Sequence, residues 1–135
     1  MHTVAVDFDG VIHWYREGYQ DGTIYDPPAP GALDALRTLM TRYAVYVHTT
    51  RDSQEVGEWL SRRGFDVLVE AMLTGDNTVI VDDQEREFWN ERDRILVTRR
   101  KLPAIAYIDD RAVHHTGDWT ATLDAVAALD PTREP

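Results

Sequence analysis

The chain has 135 residues, of which 24 are acidic and 14 basic, so its formal net charge is −10. The length predicts a single domain over residues 1–135. The absence of cysteine excludes disulfides, thiolate metal sites and cysteine nucleophiles. The negative charge argues against extended tracking along nucleic acid, because that mode of binding needs a basic surface. No apolar run is long enough to cross a bilayer and the amino terminus shows no signal pattern, so we expect a soluble cytoplasmic protein without a membrane partner.

Apolar periodicity divides the chain into alternating strands and helices. In chain order it predicts a strand at 3–6, an aromatic flap loop at 12–30, a helix at 31–43, a strand at 44–48, a helix at 52–64, a strand at 67–69, a strand at 79–81, a charged helix at 84–94, a strand at 105–108 and a helix at 118–129. Residues 70–98 form an insertion of uncertain structure. Trp119 is predicted to lie in the core. The pattern indicates an α/β fold: a three-layer, Rossmann-like parallel sheet with helices on both faces and no large cap domain.

Polar clusters follow three of the predicted strands, where ligands bind in parallel sheets. They are Asp7 with Asp9, Thr49 with Arg51, and Asp109 with Asp110. Two carboxylates about 4 Å apart repel by about 4 kcal/mol at an effective dielectric constant of about 20, so a shared crevice needs a cation or protonated carboxyls. Oxygen ligands without His or Cys favour Mg²⁺, which usually completes its shell with water and substrate phosphate. Phosphoryl transfer is therefore the leading chemistry.

These residues resemble, in order, the motifs of the haloacid dehalogenase superfamily. The segment 4–11, Val-Ala-Val-Asp-Phe-Asp-Gly-Val, is similar to its first motif, and 45–51, ending in Thr49-Thr50-Arg51, to its second. Lys101 followed by the strand and the acidic pair Asp109-Asp110 resembles the third and fourth. The run Asp109-Asp110-Arg111 is distantly similar to polynucleotide 3′-phosphatase domains. The resemblance covers residues 3–64 and 100–129 and implies a small capless member.

The resemblance also implies a role for each matching residue. Asp7 would attack phosphorus and form an aspartyl-phosphate, and Asp9 would protonate the leaving group and then activate water. Thr49 would hydrogen-bond the transferring phosphoryl group, and Lys101 would balance its charge. The Mg²⁺ ligands would be Asp7, the backbone carbonyl of Asp9, Asp109 and Asp110. Substrate contacts are expected from Gly10, Thr50, Arg51, Trp14 and Arg16.

A second acidic pair, Asp82-Asp83, also follows an apolar run and competes with Asp109-Asp110 as the fourth motif. The single lysine of the chain, Lys101, decides for Asp109, because it stands shortly before that pair and no lysine lies between Thr49 and Asp82. We interpret Asp82 and Asp83 as an acidic pair at a helix amino terminus.

The sequence analysis therefore predicts a Mg²⁺-dependent phosphatase acting on a small phosphorylated substrate or on the phosphorylated end of a larger one, with an oligomer possible. Two alternatives stay open. One is a receiver-like phospho-aspartate signalling domain, which the order of acids and lysine disfavours. The other is a catalytically retired binding module.

Overall fold

The computed structural model describes residues 2–70, 80–82 and 86–132. Its elements are β1 (Thr3–Asp7), α1 (Ala32–Met40), β2 (Ala44–His48), α2 (Ser53–Ser61), β3 (Val67–Glu70), β4 (Ile80–Asp82), β5 (Ile95–Thr98), β6 (Ala106–Ile108) and α3 (Trp119–Leu129). The six strands form one sheet in the order β4-β3-β5-β2-β1-β6. Every neighbouring pair is parallel, which confirms the predicted α/β, Rossmann-like fold without a large cap.

Strand β1 lies between β2 and β6, and its register sets the geometry of the site. Asp7 pairs with His48 of β2, and Val6 pairs with Ile108 of β6. Because all three strands run in the same direction, the residues that follow them emerge at one end of the sheet. Asp109, one residue beyond Ile108, therefore stands level with Asp7.

The sheet buries apolar side chains on both faces, which agrees with near-continuous apolar runs in its strands. One face packs against α1 and α2, to which Leu36 and Trp59 belong. The other face carries Tyr46 and is covered by Trp89 and Leu102, which lie in the irregular segments before and after β5. Helix α2 begins after Asp52, whose carboxylate accepts a hydrogen bond from the Gln54 N–H at 3.0 Å.

The prediction for 84–94 is wrong in the described part of that range, because residues 86–94 contain no helix. Trp89 is fully buried, and its carbonyl accepts a hydrogen bond from the Thr3 hydroxyl at 2.6 Å. The burial of Trp89 holds residues 86–94 against the sheet in an irregular conformation, although their charge pattern resembles that of a helix. The sequence analysis also misses β5, which inserts between β2 and β3; residues 71–79 and 83–85 lie outside the described residues.

Helix α3 has the predicted bounds, with the Asp118 carboxylate capping the Ala121 N–H at 3.3 Å. The prediction that Trp119 lies in the core is wrong: Trp119 is 66% exposed, and its ring packs against the His115 ring with centroids 4.5 Å apart. None of the α3 side chains is buried. Among the described residues, no helix is both long and apolar enough to span a membrane.

The flap, residues 12–30, is irregular but closed by hydrogen bonds. The Trp14 N–H donates to the Pro27 carbonyl at 3.1 Å, and the Ala29 N–H donates to the Ile12 carbonyl at 2.8 Å. The Asp26 carboxylate accepts from the Arg16 guanidinium at 2.7 and 3.1 Å and from the Arg16 backbone N–H at 2.9 Å. These bonds to Arg16 lower the pKa of Asp26 to about 2.

This ion pair predicts how the stability of the flap depends on pH. A carboxyl with a lowered folded-state pKa stabilises the fold above its unfolded pKa, and loses that contribution as the pH falls through the folded value. Asp26→Asn should therefore lower the urea midpoint at pH 7. The difference from wild type should shrink below about pH 4 and vanish near pH 2. A constant difference from pH 7 to pH 3 would contradict an ionic origin. Glu17→Gln, at an exposed position in the same flap without an ion-pair partner in the described residues, is the control.

Candidate active site

Three carboxylates meet where β1 and β6 end. Asp7 is the last residue of β1, and Asp109 and Asp110 follow β6 directly. One oxygen of each carboxylate lies within 4.8 Å of the other two. The structure therefore brings together three of the predicted metal ligands, as the parallel register requires.

The electrostatics of this cluster favour a bound cation. The pKa of Asp7 is raised to about 6, chiefly by burial and also by the nearby carboxylates of Asp109, Asp110 and Asp9. The Phe8 N–H, which donates to Asp7 Oδ1 at 2.9 Å, opposes this rise. A divalent cation would relieve this repulsion, and oxygen donors alone suit a hard ion such as Mg²⁺. Asp7, Asp109 and Asp110 thus form an acidic cluster that could hold a metal ion.

Gly10 is needed for the approach of Asp110. Its φ of +83° lies in the left-handed region, where a side chain is strained. A Cβ atom at this position would overlap the Asp110 carboxylate. Gly10 therefore shapes the carboxylate cluster, a role different from the predicted substrate contact.

Thr49 stands one residue beyond β2, next to Asp7 in the sheet. It is 2% exposed, and its N–H donates to the Thr98 carbonyl at 3.0 Å. Its hydroxyl accepts a hydrogen bond from the Arg51 N–H at 3.0 Å and, as a hydroxyl, can also donate one. Thr49 is therefore fixed at the sheet end with a donor to offer a phosphoryl oxygen.

Lys101 precedes β6 and lies at a cavity next to the acidic cluster. It lines a cavity of about 660 Å³ that also contacts Asp7, Asp109 and His48, and its Nζ is 4.6 Å from the centre of the Tyr107 ring. The single lysine thus lines the same cavity as the predicted nucleophile.

The backbone that carries Lys101 is anchored by Tyr46. The buried Tyr46 hydroxyl donates to the Leu102 carbonyl at 2.7 Å and accepts from the Leu102 N–H at 2.8 Å. Burial raises the pKa of Tyr46 to about 12. The Tyr107 hydroxyl donates to the same carbonyl at 2.8 Å. Strand β2 therefore holds the residue next to Lys101 in place.

Asp9 stands apart from the three clustered carboxylates. Its Oδ1 is 2.8 Å from His13 Nδ1, and its Oδ2 accepts from Arg51 Nε at 2.7 Å. Arg51 also donates through Nη1 to the Gly22 carbonyl at 2.6 Å. The predicted acid–base residue is thus held by side-chain donors from the flap and from the loop after β2.

A second cavity, of about 280 Å³, adjoins Asp9 on the flap side. It is lined by Asp9, Tyr15, Tyr19, Gly22, Thr50, Arg51, Asp52 and Glu55. Two of the predicted substrate contacts, Thr50 and Arg51, therefore border a space next to Asp9. The flap contributes Tyr15 and Tyr19 to this cavity.

Trp14 and Arg16, two further predicted substrate contacts, are engaged within the flap. The Arg16 guanidinium is paired with Asp26 and lies 4.0 Å from the centre of the Trp14 ring. These contacts give both side chains a structural role within the flap.

The competing pair Asp82-Asp83 is distant in the sheet. Asp82 ends β4, and β3, β5 and β2 separate that strand from β1. Asp83 lies outside the described residues. The strand order thus favours Asp109, which follows the direct neighbour of β1.

His13 is a site residue that the sequence analysis misses. It is fully buried and its Nδ1 contacts Asp9. It lies, however, in a loop segment whose apolar residues show neither helical nor strand periodicity. The only sequence signal is a histidine four residues after the second aspartate of the first motif.

Comparisons of this chain with protein-family models, with curated proteins and with solved structures find no match. The resemblance to the haloacid dehalogenase superfamily consequently stays a prediction. What the fold and the site define is an α/β domain with an acidic cluster suited to a divalent ion at the carboxyl end of its sheet.

Metal binding should stabilise the protein through the acidic cluster. A ligand at 100 times its Kd adds about 2.7 kcal/mol, so saturating Mg²⁺ should raise Tm by several degrees. Asp109→Asn should raise Tm without metal, because it removes repulsion on Asp7, and should abolish the Mg²⁺ effect. Differential scanning calorimetry with and without a chelator measures both. Asp124→Asn, on exposed α3, should keep the wild-type response; an equal Mg²⁺ shift in Asp109→Asn would refute the site.

Gly10 and Gly31 form a matched pair for testing the cluster geometry. Both have a left-handed backbone, with φ of +83° and +79°, but a Cβ at Gly31 would meet nothing within 4 Å. Each change to Ala should cost about 1–2 kcal/mol of backbone strain. Only Gly10→Ala should also displace Asp110 and reduce the Mg²⁺-induced rise in Tm. Equal Mg²⁺ responses in the two variants would show that Gly10 does not shape the cluster.

Proposed function

We propose that the chain is a Mg²⁺-dependent phosphomonoester hydrolase that works through an aspartyl-phosphate on Asp7. The observation that supports this most directly is the convergence of the Asp7, Asp109 and Asp110 carboxylates, with Asp9 two residues after Asp7 in the chain. Such a cluster suits a hard cation and a phosphate. Thr49 directly follows β2, the strand paired with β1, and Lys101 lines the cavity that Asp7 and Asp109 also line.

The proposed reaction has two displacements at phosphorus. A carboxylate oxygen of Asp7 attacks the phosphorus while the ester P–O bond breaks, and the leaving oxygen takes a proton from Asp9. Water then attacks the phosphorus of the aspartyl-phosphate and gives a proton to Asp9, and the bond to the Asp7 oxygen breaks. The products are the alcohol and inorganic phosphate.

The remaining residues bind and orient the phosphoryl group. The Thr49 hydroxyl donates a hydrogen bond to a phosphoryl oxygen, and Lys101 supplies a positive charge beside Asp7. When bound, Mg²⁺ offsets the charge of the carboxylates and of the phosphoryl group. The Phe8 N–H holds Asp7 Oδ1 and thereby orients the nucleophilic carboxylate.

The substrate is a small phosphomonoester or the phosphorylated end of a larger molecule, because no large cap encloses the site. The proposed location of the reaction is the cytoplasm, and the proposal is compatible with an oligomer. The receiver-like alternative is less well supported. A receiver needs an acid at the end of its third strand to take the phosphoryl group. Here that acid is Glu70, the last residue of β3, whose carboxylate accepts a hydrogen bond from Arg100 Nε at 2.7 Å. Strands β5 and β2 separate it from β1.

The experiment that tests this function is hydrolysis of 4-nitrophenyl phosphate. Wild type should release 4-nitrophenolate with Mg²⁺ and none in excess chelator. Asp7→Asn should reduce turnover of 4-nitrophenyl phosphate to background. Asp9→Asn should reduce turnover of glycerol phosphate, whose leaving oxygen must be protonated, by about 10²–10⁴-fold. Asp34→Asn, on α1, should leave activity unchanged. Full activity of Asp7→Asn would refute the mechanism. A phosphorylated protein without turnover would favour the signalling alternative, and no reaction with normal Mg²⁺ binding would favour the retired module.

A further inference from the structure

His13 is buried at the junction of the flap and the sheet end. Its side chain is fully inaccessible, and its ring packs against Phe8, Tyr25 and Trp59, with centroids 5.6, 5.2 and 6.4 Å away. Both ring nitrogens are hydrogen-bonded: Nδ1 to Asp9 Oδ1 at 2.8 Å, and Nε2 to the backbone N–H of Asp26 at 2.9 Å.

The partner of Nε2 determines which nitrogen bears the hydrogen. A backbone N–H can only donate, so Nε2 must accept and carries no hydrogen. The hydrogen therefore sits on Nδ1 and is donated to the Asp9 carboxylate. The orientation of the donor is fixed by the packed ring and by the flap backbone rather than by solvent.

We propose that His13 is a positioning residue that holds the Asp9 carboxylate in the orientation needed for proton transfer to the leaving group. This proposal rests on the proposed function. Arg51 fixes the other oxygen, Oδ2, and is itself tied to the flap through the Gly22 carbonyl. The flap thus orients Asp9 directly through His13 and indirectly through Arg51, which it binds. A carboxylate held from both oxygens loses the rotational freedom that would otherwise reduce proton transfer.

Two substitutions isolate the donor at Nδ1. His13→Asn can place an amide N–H near the position of Nδ1, whereas His13→Phe keeps an aromatic ring and has no donor. Both remove the acceptor for the Asp26 N–H, so they differ chiefly in the hydrogen bond to Asp9. His13→Gln is a third variant that can keep an acceptor near the Nε2 position, in case the first two do not fold. Tm and the Mg²⁺-induced shift in Tm report on folding and on the acidic cluster.

The kinetic test compares two substrates at saturating Mg²⁺. Glycerol phosphate has a poor leaving group that needs protonation, and 4-nitrophenyl phosphate has a good one that needs it little. The constant kcat/KM reports the first displacement, in which the leaving group departs, and excludes the hydrolysis step that both substrates share. For His13→Phe we expect kcat/KM on glycerol phosphate to fall by about 10²-fold, and kcat/KM on 4-nitrophenyl phosphate by less than about 10-fold. His13→Asn should recover at least about 10-fold of the loss on glycerol phosphate.

Each outcome decides between distinct conclusions. Equal losses on both substrates, or no recovery in His13→Asn, would overturn the positioning role and leave the proposed function intact. A wild-type protein that hydrolyses neither substrate would overturn both. Nitrogen-15 NMR of the wild type should show hydrogen on Nδ1 of His13 and none on Nε2; the opposite tautomer would overturn the assignment independently of catalysis.

Discussion

Parallel pairing of β1 with both β2 and β6 is the constraint on which the site depends. It sets Asp7 level with Asp109 and leaves Thr49 at the same sheet end. Each pair of carboxylates about 4 Å apart costs about 4 kcal/mol at an effective dielectric constant of about 20, against a total stability of about 5–15 kcal/mol for a typical domain. Buried valines of β1 and β2 fix the register of that pair, and the exposed strand β6 is held beside β1 by parallel backbone pairing. The fold therefore imposes the charge cluster that a cation would relieve.

The acidic groups at this sheet end are held in two different environments. Asp7 lies with Asp109 and Asp110, where burial and like charge oppose ionisation. Asp9 lies only two residues further along the chain, and its carboxylate accepts hydrogen bonds from His13 and Arg51. Two carboxylates with unlike surroundings can take unlike chemical roles, which is the usual arrangement where one group attacks and another transfers protons.

The parts of the structure that local pattern determines could be predicted from the sequence. The bounds of β2 and α3 follow from apolar runs and capping residues, and the meeting of Asp7 with Asp109 follows from the direction of parallel strands. Strand β5 is an apolar run that local pattern can signal, but the sequence analysis leaves it inside the uncertain segment 70–98. Its place between β2 and β3 depends on tertiary pairing, which local pattern does not encode. The exposure of Trp119 and the contacts of His13 likewise depend on tertiary packing, which periodicity does not encode.

The late insertion of β5 has a consequence for folding order. Strand β3 precedes β5 in the chain but meets β2 only through it, so neither can complete its hydrogen bonding until residues 95–98 are present. A growing chain that ends before Ile95 has two unsatisfied strand edges where the sheet will later be continuous. Closing this gap requires contacts between distant segments, which slows folding relative to a sheet assembled in chain order. Pairing of β5 with β3 on one side and with β2 on the other therefore joins the two parts of the sheet.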